Sequence, residues 1–156
     1  MKRALLIAAM AVANSGCGQT NTRSAPAALE PPPEQVTTMK IRITIDGTPI
    51  TATLENNATA RDFASLLPLK LTLKDHASTE KVSDLPRRLS TEGAPAGVDP
   101  SVGDIAYYAP WGNLAIYYED FGYSAGLIKL ATIDSEVEVF RRSGAFQVVI
   151  DREVPR

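Results

Sequence analysis

From Met39 onward apolar residues return at every second position, and this alternation limits the fold more than any other feature of the chain. Ile41, Ile43 and Ile45 alternate with Arg42 and Thr44, and Ile50, Ala52 and Leu54 alternate with Thr51 and Thr53. A period of two puts one set of side chains on each face of a strand, so both segments read as half-buried β-strands. Asp46-Gly47-Thr48-Pro49 between them is turn chemistry, and the pair forms a β-hairpin. Asn57 or Thr59 can cap a short helix over residues 61–67, with Phe63, Leu66 and Leu67 on the face that covers the sheet. Pro68 ends that helix, and Leu69, Leu71 and Leu73 open a third strand. Residues 75–100, dense in charge, glycine and proline, read as a long loop. Strands then follow over 104–109, 114–118, 127–133 and 146–150, with a short helix or irregular strand over 135–142. Short strands separated by turn signals predict a mainly β domain, a barrel or sandwich with one or two short helices.

The first 38 residues obey different rules. Met1-Lys2-Arg3, the apolar run from Ala4 to Ala13 and the small residues before Cys17 have the layout of a secretory signal peptide. The run is too short to span a bilayer, which takes about 20 apolar residues. Ser15-Gly16-Cys17 resembles a bacterial lipoprotein signal, with Asn14 where an aliphatic residue is usual. The expectation is a signal peptide over residues 1–16, lipidation at Cys17, a proline-rich tether over 17–38 containing Pro31-Pro32-Pro33, and one domain over 39–156. A multi-chain lipid on Cys17 would hold the protein to a membrane of the bacterial envelope. Gly18, rather than aspartate, after the cysteine favours the outer membrane where there are two membranes. Ordinary secretion is the alternative.

Bulk properties exclude several classes. The formal net charge is −2 and becomes more negative if Lys2 and Arg3 are removed, so nucleic acid is not an expected partner. With a single cysteine the chain cannot form an internal disulfide, and a single histidine, His76, excludes a zinc site of several His/Cys ligands. No phosphate-binding glycine motif and no Gly-x-Ser-x-Gly elbow is present. No metal and no cofactor is expected.

The central block reads Leu85-Pro86-Arg87-Arg88-Leu89-Ser90-Thr91-Glu92-Gly93-Ala94-Pro95, and later Gly103-Asp104-Ile105-Ala106-Tyr107-Tyr108-Ala109-Pro110-Trp111-Gly112-Asn113. It resembles the bacterial cyclophilin-like fold family, over about Met39 to Asp151. The resemblance implies a cyclophilin-like β-barrel. It implies no single activity, because a fold alone does not confer one. True cyclophilins catalyse prolyl isomerisation with an arginine over the twisted amide and an aromatic-lined proline pocket. In that pattern phenylalanines and a glutamine follow the arginine, whereas Leu89-Ser90-Thr91-Glu92 follows Arg87 and Arg88 here.

The candidate ligand-binding residues are therefore Arg87, Glu92, Tyr108 and Trp111. Trp111 on a hairpin tip beside paired tyrosines offers a stacking surface, or else folds over the barrel end while alternate tyrosines fill the core. Arg87, Arg88 and Glu92 can bind an anion, or else clamp the loop to the barrel. A lone loop histidine such as His76 is usually solvated, and Glu119-Asp120, adjacent and pointing apart, reads as a solvated turn. The expected function is a non-catalytic module that binds a small molecule or peptide. A prolyl isomerase and a protein-interaction module of the envelope are the alternatives.

Overall fold

The computed structural model describes residues 38–153; the expected signal peptide, Cys17 and all but the last residue of the expected tether lie outside the described residues. Strands β1 (Lys40–Ile45) and β2 (Thr48–Leu54) form the expected hairpin. Its two-residue turn, Asp46-Gly47, takes φ of +48° and +83°, a left-handed pair that glycine tolerates and aspartate accepts better than most residues. Helix α1 (Ala58–Ser65) starts earlier than the sequence reading placed it, because Asn57 caps it: its Oδ1 accepts from the Ala60 amide at 2.7 Å. The helix stops short of Leu67, which precedes Pro68 and is thereby disfavoured from continuing the α conformation.

Six further strands and a ribbon follow: β3 (Leu69–His76), β4 (Glu80–Asp84), β5 (Gly97–Val98), β6 (Asp104–Tyr108), β7 (Asn113–Tyr117), β8 (Ser124–Ala125), β9 (Leu127–Ile133) and β10 (Phe146–Arg152). Eight of the strands close into an antiparallel barrel in the order β1-β10-β3-β4-β7-β6-β9-β2, while β5 and β8 pair as a separate two-stranded ribbon. The mainly β, barrel-forming reading therefore holds. A 3₁₀ turn, Val137–Arg141, occupies the segment left open between helix and irregular strand.

The region read as one long loop contains β4, which joins β3 to β7 and without which the barrel would not close. Its buried positions are Glu80 and Lys81 rather than aliphatic residues, so the alternation that marks the other strands is absent there.

The isoleucines of β1, the leucines of β3 and the inward residues of the other strands share one core, with Phe63 from α1 and Phe140 from the 3₁₀ turn. The helix packs where β10 finishes: Arg152 donates to the Ala64 carbonyl at 2.8 Å. Phe140 packs where β10 begins, 6.4 Å from the Phe146 ring. Strand β7 is buried on both faces, so something outside the barrel covers it.

Candidate functional site

What covers it is a second, smaller apolar cluster on the outer wall. Ala106, Ala115, Tyr117 and Leu127 form it, with Val82, Val98 and Tyr108 packed against them. Strand alternation sorts the tyrosine pairs, as a period of two requires. Tyr107 and Tyr118 enter the barrel core, and Tyr108 and Tyr117 face outward. The Leu89 amide donates to the Tyr107 hydroxyl at 3.1 Å, which satisfies that buried polar group.

Above this wall lies a cleft of about 160 Å³. Its aromatic walls are Tyr108, Trp111, Tyr117 and Phe121, and His76, Glu80 and Asn113 also line it. Trp111 sits on the β6–β7 turn and is 62% exposed. Its ring meets Tyr108 edge-on, centroids 5.4 Å apart, and His76 edge-on at 5.6 Å. Edge-to-face contacts at such distances contribute about 0.5–1.5 kcal/mol each. Gly112, at φ +77°, lets the turn close with its amide donating to the Tyr108 carbonyl at 2.8 Å. On the opposite wall Phe121 lies 6.1 Å from Tyr117.

Two polar side chains of the cleft, Glu80 and Asn113, are buried. Glu80 is 6% exposed and its Oε2 accepts from the Thr79 hydroxyl. Among the described residues Glu80 makes no ion pair. Asn113 is also 6% exposed, and its Oδ1 has no hydrogen-bond donor. Burial, reinforced by the nearby Glu80 carboxylate and by Tyr108, pushes the Tyr117 hydroxyl well above the ordinary phenol range, so Tyr117 stays neutral. Larger hollows exist, one of about 400 Å³ beside Met39, Leu54 and Ala60 and one of about 390 Å³ over Lys70 and Gln147. Neither brings aromatic rings together with buried polar groups, which is the combination that recognises ligands.

The structure thus unites two of the four residues singled out from sequence, Tyr108 and Trp111. The other two are placed elsewhere. Arg87 forks onto Asp62 of α1 at 2.6 and 2.9 Å and also reaches Ser65 Oγ at 3.0 Å. Glu92 is exposed, and its amide donates to Ser90 Oγ at 3.3 Å. Arg88 holds the Trp111 turn from outside, donating to the carbonyls of Ala109 at 2.7 Å and Pro110 at 3.3 Å. Glu119 pairs with Arg141, and Asp120 accepts from the Val102 amide.

The cleft also recruits residues that sequence reasoning passed over. His76 belongs to a strand rather than a loop and is half-buried against Trp111. Glu80 and Asn113 give no motif, and only the register of β4 on β7, with Glu80 opposite Tyr117, brings them to the aromatic rings. Among the described residues no group of three or more histidine, cysteine, aspartate or glutamate side chains could hold a metal ion.

Inside the barrel, at the end near Phe146, Lys81 is 0% exposed. Its Nζ donates to Asp75 and to the carbonyls of Arg142 at 2.6 Å and Gly144 at 3.1 Å, which uses all three ammonium protons. The Phe146 ring lies 5.1 Å away. Lys81, together with the Gly144 amide, holds the Asp75 carboxyl below its usual range.

Comparison with known proteins agrees with this architecture. A hypothetical protein of Archaeoglobus fulgidus, known from its solution structure, superposes with a TM-score of 0.56 at 18% identity, over 78% of this chain and 99% of that one. At that identity the likeness is one of fold. No curated protein matches the sequence. The model of the Cyclophilin-like family matches residues 43–151, from the first strand to the last, and the chain therefore belongs to the cyclophilin-like family.

Proposed function

We propose that the outer-wall cleft is a ligand site and that the protein is a binding module for a small molecule or peptide, held at a bacterial envelope membrane through Cys17. The observation that carries the reading is the cleft itself: four aromatic rings around two buried, under-partnered polar side chains, Glu80 and Asn113. Aromatic walls supply area and a few convergent polar groups supply orientation. Neither lysine nor arginine lines the cleft, and the two arginines nearest in sequence to an isomerase motif are engaged with Asp62 and with the Trp111 turn. A twisted prolyl amide would find no guanidinium there, which is why binding without catalysis is the favoured function.

The test is NMR of the protein with a panel of Xaa-Pro peptides and small amines, following the Trp111 indole and peptide cis–trans exchange together. Saturable shifts at Trp111 and Tyr117 without faster exchange are expected. Accelerated exchange would replace the reading by an isomerase. No shift at the cleft from any ligand, with a stoichiometric protein partner co-purifying instead, would replace it by an interaction module.

A further inference from the structure

We infer that the cleft selects a primary alkylammonium group, an inference that rests on reading the cleft as a ligand site. Two features of the cleft converge on that chemistry. Glu80, itself 6% exposed, brings a carboxylate to the cleft, and among the described residues no lysine or arginine meets it. Taking a carboxylate out of water is costly unless a cation or several donors meet it, and among the described residues the Thr79 hydroxyl is the one donor it has. The rings of Tyr108, Trp111, Tyr117 and Phe121 complete the lining, and aromatic faces attract cations.

An anion would meet a carboxylate and negative ring faces, and a neutral apolar ligand would leave the Glu80 carboxylate without a counter-charge. A quaternary ammonium would satisfy the rings but brings no N–H to the Glu80 carboxylate. A primary ammonium carries three donors and a compact charge. It can donate to the Glu80 carboxylate while its alkyl stem lies along Val82 and Ala115, which also line the cleft. The space, about 160 Å³, suits a short amine or the end of a lysine side chain.

Trp111 is the only tryptophan of the chain and reports on the cleft directly. The full chain is titrated, at constant chloride, with n-butylammonium, tetramethylammonium and n-butanol while Trp111 fluorescence is followed. Saturation by butylammonium in the millimolar range is expected, with tetramethylammonium and butanol at least tenfold weaker. The Glu80→Gln variant, checked for an unchanged circular dichroism spectrum, should bind butylammonium at least tenfold more weakly. Equal affinity for butanol and butylammonium would overturn the inference and leave the cleft a ligand site. Equal affinity for tetramethylammonium would overturn the selection of a primary ammonium, because no N–H donor to Glu80 would then be needed. Silence of Trp111 toward all three probes would also overturn the inference, and the peptide panel would then judge the ligand site by itself. Should Nα-acetyl-lysine methylamide bind at least tenfold more tightly than butylammonium, the ammonium is presented by a peptide; if it binds no more tightly, by a free amine.

Discussion

Asp62 is the residue that ties the loop after β4 to the rest of the domain. It takes both guanidinium nitrogens of Arg87 and the Ser90 amide at 2.7 Å, and these bonds hold its carboxyl far below the usual carboxylate range. A folded-state value below the unfolded one means a contribution present above the ordinary carboxylate range and lost as the pH falls through the folded value. Asp62→Asn should lower unfolding stability by about 1–2 kcal/mol at pH 7, a modest figure because the Arg87 side chain is half exposed. In urea titrations the gap between wild type and variant should narrow as the pH is taken from about 5 toward 2, and a constant gap would show that Asp62 acts by shape alone. Lys81 is a more demanding case, since its charge is wholly inside. Lys81→Met would leave the Asp75 carboxylate and the carbonyls of Arg142 and Gly144 without their shared donor. A loss of about 2–4 kcal/mol is expected in the same titration. A neutral result would mean that the methionine packs well enough to replace the ion pair.

At the level of elements, the strands legible in the sequence were those whose buried faces are aliphatic. Ile41, Ile43 and Ile45, or Leu69, Leu71 and Leu73, announce themselves because burial and hydrophobicity coincide. Strand β4 did not, because its inward residue is the lysine, held by Asp75 and two carbonyls, and its outward one the cleft carboxylate, so its buried positions carry charge and periodicity does not detect them. The site was half legible for the same cause. Tyr108 and Trp111 stand out by type, whereas Glu80 and Asn113 matter only through the antiparallel register that sets β4 and β6 on either side of β7. The β5–β8 ribbon carries a prediction of its own. A Cβ on Gly97 would sit 2.3 Å from the Ser124 carbonyl oxygen, so Gly97→Ala must separate the two strands. Val98 packs on the outer cluster and Ser124 lines the cleft, so this variant should lose about 1–3 kcal/mol, expose the Gly126 amide to hydrogen exchange and blunt the Trp111 response to ligand. Gly122→Ala, which meets nothing within 4 Å, should leave all three readouts unchanged. Protection at Gly126 preserved in Gly97→Ala would show that the ribbon tolerates the displacement.

The whole molecule joins a closed barrel to an N-terminal segment of a different character. Closure removes the free strand edges that invite pairing with other chains, leaving the short β5–β8 ribbon as the unclosed sheet. In the proposed function, recognition falls to side chains on the outer wall, where the cleft is. No helix among the described residues is long and apolar enough to cross a membrane. Attachment, as proposed, depends on the lipid at Cys17, the only thiol of the chain, and the barrel needs no thiol to fold. Several buried acyl chains, at about 0.8 kcal/mol per methylene, exceed what one chain can do and give firm anchorage. In a bacterial host, Cys17→Ser should abolish incorporation of labelled palmitate and move the protein from the membrane fraction to the soluble or secreted fraction. The barrel would keep the same melting temperature and the same Trp111 response, because the lipid and the cleft belong to separate parts of the chain. Retention of the unlabelled variant in the membrane fraction would show that a surface of the barrel, rather than the cysteine, holds the protein there.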